Sequence, residues 1–155
     1  MQGRFEVRKW IQIHQPVLAV VQSYDGQYIA AGLEQGVAVF TLSGNRLGDY
    51  PASGEPIPIH RLASAPDFGQ LYAGTRTGVV IRLDLEFQDA QVSFREKNLY
   101  ATSNDLHSLS LAKDATKIAV GHFSPGLSVF QTDGQSVWRQ QDQGPAAEGA
   151  PGLCL

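Results

Sequence analysis

Four histidines carry the side chains best suited to metal binding or general-base chemistry, namely His14, His60, His107 and His122. His60 and His107 occupy the same place in a repeated pattern, each seven residues before an aspartate. A zinc site needs three or four converging ligands, and the spacing of these histidines brings no carboxylates or cysteines into such a set. We therefore interpret the histidines as structural and predict no metal site.

Three aspartates, Asp25, Asp67 and Asp114, form a second repeated set of chemically capable residues. A calcium-binding loop places several oxygen ligands within about a dozen residues. Each of these segments offers only one. Aspartate often accepts backbone N–H bonds inside its own tight turn, so we predict that role here.

The remaining chemical motifs are incomplete. The glycine-rich segment GQLYAGTRTG at 69–78 lacks the Gly-Lys-Ser/Thr ending of a phosphate-binding loop, and no helix is predicted after it. No serine stands in a Gly-x-Ser-x-Gly turn. We predict that the chain is not an enzyme and carries no cofactor.

The elements that position these residues repeat three times along the chain. The copies read PVLAVVQSYDGQYIAAGLEQGVAVF, PIPIHRLASAPDFGQLYAGTRTGVVIRL and NDLHSLSLAKDATKIAVGHFSPGLSVF. Each aspartate precedes a glycine by seven residues (Gly32, Gly74 and Gly121), so the repeat periods are 42 and 47 residues. Such periods are near those of four-stranded propeller blades.

Hydrophobic residues alternate with period two, which predicts an all-β fold. In the first copy we predict strands beginning near Val17 and covering 28–31, 37–40 and 46–50, with Asp25-Gly26 and Ser43-Gly44-Asn45 as turns. In the second copy the pair Ile59 and Leu62 opens the first strand, and 71–73, 79–83 and 91–95 follow. In the third copy Leu106 and Leu109 open the first strand, followed by 118–120, 127–130 and 136–139.

These strands predict three four-stranded antiparallel units at about 14–50, 56–95 and 103–139. An additional N-terminal strand at 5–10 is predicted to belong to an adjoining unit, and residues 141–155 are predicted to be a disordered tail. Trp10 and Trp138 lie on strand-like segments at opposite ends of the array, and we interpret both as packing residues.

The string HQPVLAVVQSYDGQYIAAGLEQGVAVF resembles a WD-repeat blade, with His14, an apolar pair, Asp-Gly, Ile-Ala-Ala-Gly and Gly-Val-Ala-Val-Phe. The resemblance is to a degenerate repeat, because no copy ends its third strand in Trp-Asp. It implies a β-propeller that acts as a non-catalytic protein-interaction scaffold. The segment DGQSVW at 133–138 is similar to quinoprotein-type blades, which implies the alternative of a cofactor or small ligand in a central channel.

Three copies cannot close a propeller ring of four to eight blades. We predict an incomplete ring whose outer faces expose apolar rows that include Val37, Val39, Leu127 and Val129. At roughly 25 cal/mol per Å², such exposure costs many kcal/mol, so another surface should cover these faces. A second copy that forms a homodimer, a different partner chain, or the rest of a longer protein would each serve.

Propellers bind partners mostly through loops held by rigid sheets. Arg76 and His122 follow the glycine that ends the second strand of their copies. Tyr50 and Pro56 belong to the proline-rich stretch YPASGEPIP, which is stiff and extended. We predict an interaction surface that includes these four residues and binds a protein partner.

Composition narrows the remaining choices. The net charge is -3, whereas proteins that bind the phosphate backbone of nucleic acids normally carry clustered Lys and Arg. We therefore predict no nucleic-acid partner. Cys154 is the single cysteine, which excludes an internal disulfide. No run of about 18 apolar residues is present, and the first residues do not form a secretion signal. We predict a cytoplasmic protein without a membrane partner.

Overall fold

The computed structural model describes residues 10–51, 54–101, 105–122 and 126–141, with side chains for all of these except Asn98 and residues 136–141. Twelve β-strands and no helix are present in these ranges. The strands are β1 Val17–Gln22, β2 Tyr28–Leu33, β3 Gly36–Thr41, β4 Arg46–Tyr50, β5 Ile59–Ser64, β6 Gln70–Thr75, β7 Val79–Gln88, β8 Gln91–Ala101, β9 Leu106–Leu111, β10 Lys117–His122, β11 Gly126–Gln131 and β12 Ser136–Gln141.

The strands form three separate four-stranded antiparallel sheets, each in chain order. We call β1–β4 the first sheet, β5–β8 the second sheet and β9–β12 the third sheet. The predicted all-β class and the three four-stranded repeats are confirmed. The sequence placed β4 within the same bounds as the structure, because the Ser43-Gly44-Asn45 turn and the end of alternation mark both ends of that strand.

The second sheet is longer than the sequence predicted. Its outer strand continues to Ala101 instead of ending at 95, and β7 continues to Gln88 instead of ending at 83. A two-residue turn joins the strands, and Asp89 and Ala90 adopt φ of 47° and 62°. Hairpins favour such turns because their backbone twist matches that of the strands, but this turn lacks the usual glycine and was missed for that reason.

The sheets stack face to face in chain order. One hydrophobic core lies between the first and second sheets, and a second core lies between the second and third sheets. Ile59, Leu71 and Leu83 fill the first core from the second sheet, whereas Tyr72 and Val80 of the same sheet enter the second core. The second sheet is therefore buried on both faces, because alternate residues of each strand point to opposite sides.

The prediction that Val37 and Val39 face water was wrong. Both side chains are buried in the first core, because they lie on the face of β3 that contacts the second sheet. The opposite face of the first sheet carries Ala38 and Phe40, which are also buried, and Ile11 and Ile13 pack over them. A short segment before β1 thus covers part of the outer face of the first sheet, which we predicted to be exposed.

The corresponding prediction for the third sheet was right for Leu127, whose side chain is exposed. Val129, on the same face, is partly buried. This face points away from the second sheet, since the residues that pack inward are Ile118, Val120 and Phe130.

The packing role predicted for Trp10 was wrong, because its side chain is almost fully exposed. The described residues bring no sheet against it. The predicted strand at 5–10 falls outside the described residues except for Trp10, which is not in a strand. Gln141, the first residue of the predicted tail, instead ends β12. Residues 142–155 of that tail and the side chain of Trp138 lie outside the described part.

Candidate interaction surface

The stacked sheets have two ends, each built from a different kind of connection. In the first sheet, Leu33 pairs with Gly36 and Val37 pairs with Tyr50, so the β2–β3 turn and the end of β4 lie together. The second and third sheets repeat this pairing. We call this end the linker end, because the segments that join one sheet to the next begin and finish there. The opposite end carries the β1–β2 and β3–β4 types of hairpin, and we call it the hairpin end.

All four residues of the predicted interaction surface belong to the linker end. Arg76 lies in the β6–β7 turn, His122 ends β10, Tyr50 ends β4, and Pro56 lies on the segment between β4 and β5. Topology brings them to one end because the second strand's end and the fourth strand's end are neighbours in every sheet. Exposed side chains at this end include Glu34, Gln35, Glu55, Pro56, Arg76, Thr77 and Asp105.

Arg76 is well placed for contact with a partner. Its side chain is 75% exposed, and its Nε lies 4.0 Å from the Oδ2 of Asp105. An exposed ion pair of this length contributes little, because water and salt screen both charges. The guanidinium therefore remains available to a partner's carboxylate.

His122 and Tyr50 are held by the sheets instead. The Nε2 of His122 lies 3.2 Å from the Ser128 hydroxyl, and its ring stands 6.0 Å from that of Tyr100. The Tyr50 hydroxyl donates to Glu96 at 2.5 Å, and burial together with that carboxylate raises the pKa of Tyr50. Tyr50 is buried in the first core against the second sheet, so its side chain packs beneath the linker end and is not exposed on the surface of that end.

The other histidines stand apart from any metal-binding set. Across the described ranges, no three His, Cys, Asp or Glu side chains are grouped closely enough to hold a metal ion. The backbone at two of these positions is used structurally: Arg61 donates to the carbonyl oxygens of His60 and His107. Arg61 thereby joins the first strands of the second and third sheets, a role that its isolated position in the sequence gave no signal for.

The three turn aspartates behave as predicted. Their carboxylates accept the backbone N–H two residues later, from Gln27 at 3.0 Å, Gly69 at 3.0 Å and Thr116 at 3.1 Å. The Ser23 hydroxyl also donates to Asp25, and it lowers the pKa of that carboxyl more than the Gln27 N–H does. These bonds occupy the aspartates in forming their own turns.

An open cavity of about 620 Å³ lies between the second and third sheets at the hairpin end. Its walls include the turn residues Asp67 and Asp114 together with Glu86 and Arg95. The two aspartates are engaged by the backbone of their turns, and Arg95 pairs with Glu86. The charges around this cavity thus already have partners within the chain.

The sequence missed the polar contacts that tie the second sheet to the third. Arg82 donates to the carbonyl oxygen of Thr132 at 3.2 Å, and its guanidinium lies against Asp84 at 3.0 Å. Lys97 donates to the carbonyl oxygen of Asp133 at 3.2 Å. The two basic residues belong to strands in which polar and apolar residues alternate. Charged side chains in such strands ordinarily face water, so the sequence carried no signal for these contacts.

The sequence matches no family model and no curated protein. Solved structures do match its fold. The β-propeller domain of Myceliophteria thermophila Cps50 (Swd1) gives a TM-score of 0.66 at 11% identity over 80% of this chain and 41% of that one. RRP9 WD40 repeats give 0.65 at 12% identity over 83% and 39%, and U3-55K gives 0.66 at 14% identity over 83% and 40%.

These similarities agree with the resemblance in the sequence. The chain has the fold of WD40 β-propeller blades, and each sheet is one blade. It spans about 40% of the length of the solved structures it matches. In the described part of the chain, no helix has the length and hydropathy of a membrane span.

Proposed function

We propose that this chain is a non-catalytic scaffold in the cytoplasm, forms part of a propeller ring, and binds a protein through the linker end. The observation that carries the proposal is the gathering of exposed turn and linker side chains from neighbouring sheets at that one end. The sheets that carry these residues are packed through two buried cores, so the backbone of the linker end is held in place before binding.

Two further features support this function. The structures that the chain resembles are WD40 domains, and this fold presents large surfaces on a rigid framework. Arg76 offers a charged group whose one ion pair, with Asp105, is long and exposed, and Glu34 and Glu55 add two exposed acidic groups to the same end. We expect the partner to place a carboxylate near Arg76 and a mixed polar surface around it.

The proposal can be tested by exchanging one charge. Purified wild-type chain and the variant Arg76→Glu are used to recover cross-linked proteins from a cell extract, and the recovered sets are compared quantitatively. Arg95→Glu is the matched control, because Arg95 is 72% exposed, also pairs with one carboxylate, and lies toward the hairpin end. Loss of the same proteins with Arg76→Glu alone supports the linker end. Equal recovery with both variants contradicts it.

The alternative function, a cofactor or small ligand in a central channel, has a separate test. A channel site would need similar polar groups at equivalent positions of the first strands, but these positions hold Leu18, His60 and His107. Titration with pyrroloquinoline quinone and calcium should therefore leave the absorption spectrum of the protein and cofactor additive. A saturable spectral shift would favour the alternative instead.

A further inference from the structure

The first residue of each sheet occupies an equivalent position, but its burial differs from sheet to sheet. Val17, Ile59 and Leu106 open β1, β5 and β9, and each pairs with the end of the following strand. Ile59 is 0% exposed and Leu106 is 5% exposed, whereas Val17 is 45% exposed. The first two are covered because the preceding sheet packs on them, and the described residues place no sheet before Val17.

The surface that receives these residues is built around the repeated glycine. A Cβ at Gly32 would lie 2.6 Å from the carbonyl oxygen of Ile59 and 3.1 Å from its Cγ2, and a Cβ at Gly74 would lie 2.9 Å from Leu106 Cδ2. A residue larger than glycine would be crowded at these two positions, because the opening residue of the next sheet lies directly against the backbone there. At Gly121, the nearest atoms to a Cβ belong to Ser108 of its own sheet.

The third-strand residue that pairs with each glycine also differs in exposure from sheet to sheet. Val37 pairs with Gly32 and is 1% exposed, and Val80 pairs with Gly74 and is 0% exposed. Leu127 pairs with Gly121 and is 42% exposed. Over the described ranges, the third sheet thus carries the equivalent receiving surface at Gly121 and Leu127, and no sheet packs on it.

We propose that a second copy of this chain occupies it, with Val17 of the second copy against Gly121 and beside Leu127. The same contact forms in reverse on the other side of a two-fold axis, which is the commonest symmetry of soluble homo-oligomers. Two sets of three sheets make six, a number within the range of closed propellers. The inference rests on the ring of the proposed function but not on the linker end.

A second copy explains both free surfaces at once. Among the described residues, no opening residue lies against Gly121 of the third sheet, and Val17 of the first sheet is exposed. Val20 is also largely exposed, although the equivalent Leu62 packs into the first core. An unrelated partner that covered only Leu127 would leave Val17 and Val20 in water, at the cost that apolar exposure carries.

The segment before β1 is compatible with this contact. Ile11 and Ile13 pack on the first sheet's outer face. With them in place, Ala38 and Phe40 are already buried. The second copy would therefore contact the first sheet beside this segment, at the exposed residues Val17 and Val20.

The test is the mass of the full chain in solution, measured by light scattering during gel filtration over a hundredfold range of concentration. We expect about twice the 16.8 kDa of one chain. Leu127→Asp and Val17→Lys should each give the mass of one chain, because each variant places a charge in both interfaces. Leu42→Asp is the matched control, since Leu42 is similarly exposed but lies in a hairpin turn, and it should leave the double mass unchanged.

Mixing the two variants separates a lost interface from a lost fold. In a mixed pair, one interface has wild-type residues on both sides, and the other places Asp opposite Lys. The mixture should therefore regain the double mass, with the two variants present in equal amounts. A wild-type chain that keeps the mass of one copy, or that forms an open series of larger species, overturns the proposal, as does a mixture that stays monomeric while circular dichroism shows folded β-sheet. None of these outcomes bears on the Arg76→Glu test.

Discussion

The repeated glycines allow the packing between sheets to be measured one contact at a time. Replacing Gly32, Gly74 or Gly121 by alanine adds the same methyl group at three equivalent positions. The three positions differ in how easily the neighbouring atoms can move away from the new methyl group. The new Cβ would meet a backbone carbonyl at 2.6 Å, a leucine side chain at 2.9 Å and the Ser108 hydroxyl at 2.3 Å, respectively.

Two opposing effects set the expected magnitudes. Alanine loses less conformational entropy than glycine on folding, which favours each variant by about 0.5–1 kcal/mol. Overpacking costs about 1–3 kcal/mol where the neighbour cannot move away. The carbonyl oxygen of Ile59 belongs to a strand and cannot move alone, so Gly32→Ala should be destabilised by about 1–2 kcal/mol. Gly74→Ala should be close to neutral, because Leu106 can change its side-chain conformation.

Gly121→Ala should be neutral or stabilised by up to about 1 kcal/mol, because Ser108 is exposed and its hydroxyl can rotate away. The free energies of unfolding are measured by urea titration in the Leu127→Asp background, which keeps the third sheet free of a second copy. Equal effects at all three positions would refute the reasoning, because they would show that the neighbouring sheet does not press on Gly32.

Two further predictions concern the hairpin end. Gly26 and Ala115 follow the turn aspartates with φ of 72° and 55°, and an L side chain at such angles costs about 1–2 kcal/mol. Ala115→Gly should therefore raise the free energy of unfolding by about 1 kcal/mol and Gly26→Ala should lower it similarly; urea midpoints that move in the same direction for both would contradict this. The backbone N–H of Thr116, and then its hydroxyl, lower the pKa of Asp114 below its usual 3.8. The stability from this carboxylate is therefore complete above 3.8 and is lost as the pH falls from there through the lowered pKa of the folded state. Asp114→Asn keeps the acceptor oxygen but does not titrate, so its urea midpoint should fall less between pH 7 and pH 3 than that of the wild type. An equal fall in the two proteins would argue against a stabilising role for these hydrogen bonds.

The candidate surface was partly predictable. Arg76 and Pro56 were located correctly on exposed connections, because a turn after a repeated glycine and a proline-rich linker are local features. Their proximity to one end of the array follows from antiparallel pairing. The burial of Tyr50 was not predictable, since it depends on the approach of Glu96 from the second sheet, 46 positions further along the chain.

The contacts between sheets were likewise hidden in the sequence. Arg61 and Arg82 read as ordinary charged residues of alternating strands, but their guanidinium groups bind backbone carbonyls of the third sheet. Alternation gives the face of a strand on which a residue lies. It does not say whether that face meets water or another sheet.

The amino-acid sequence alone determined the three repeats, their four-stranded form and the turns made by Asp25, Asp67 and Asp114, because these depend on residues close together in the chain. Only the tertiary structure decided which faces are covered. It buried Val37 and Val39, used Ile11 and Ile13 to cover the first sheet, and left Leu127 exposed. Burial is set by how sheets stack across long separations in sequence, and the similar local patterns GVAVF at 36–40 and GLSVF at 126–130 therefore place Val37 and Leu127 in opposite environments.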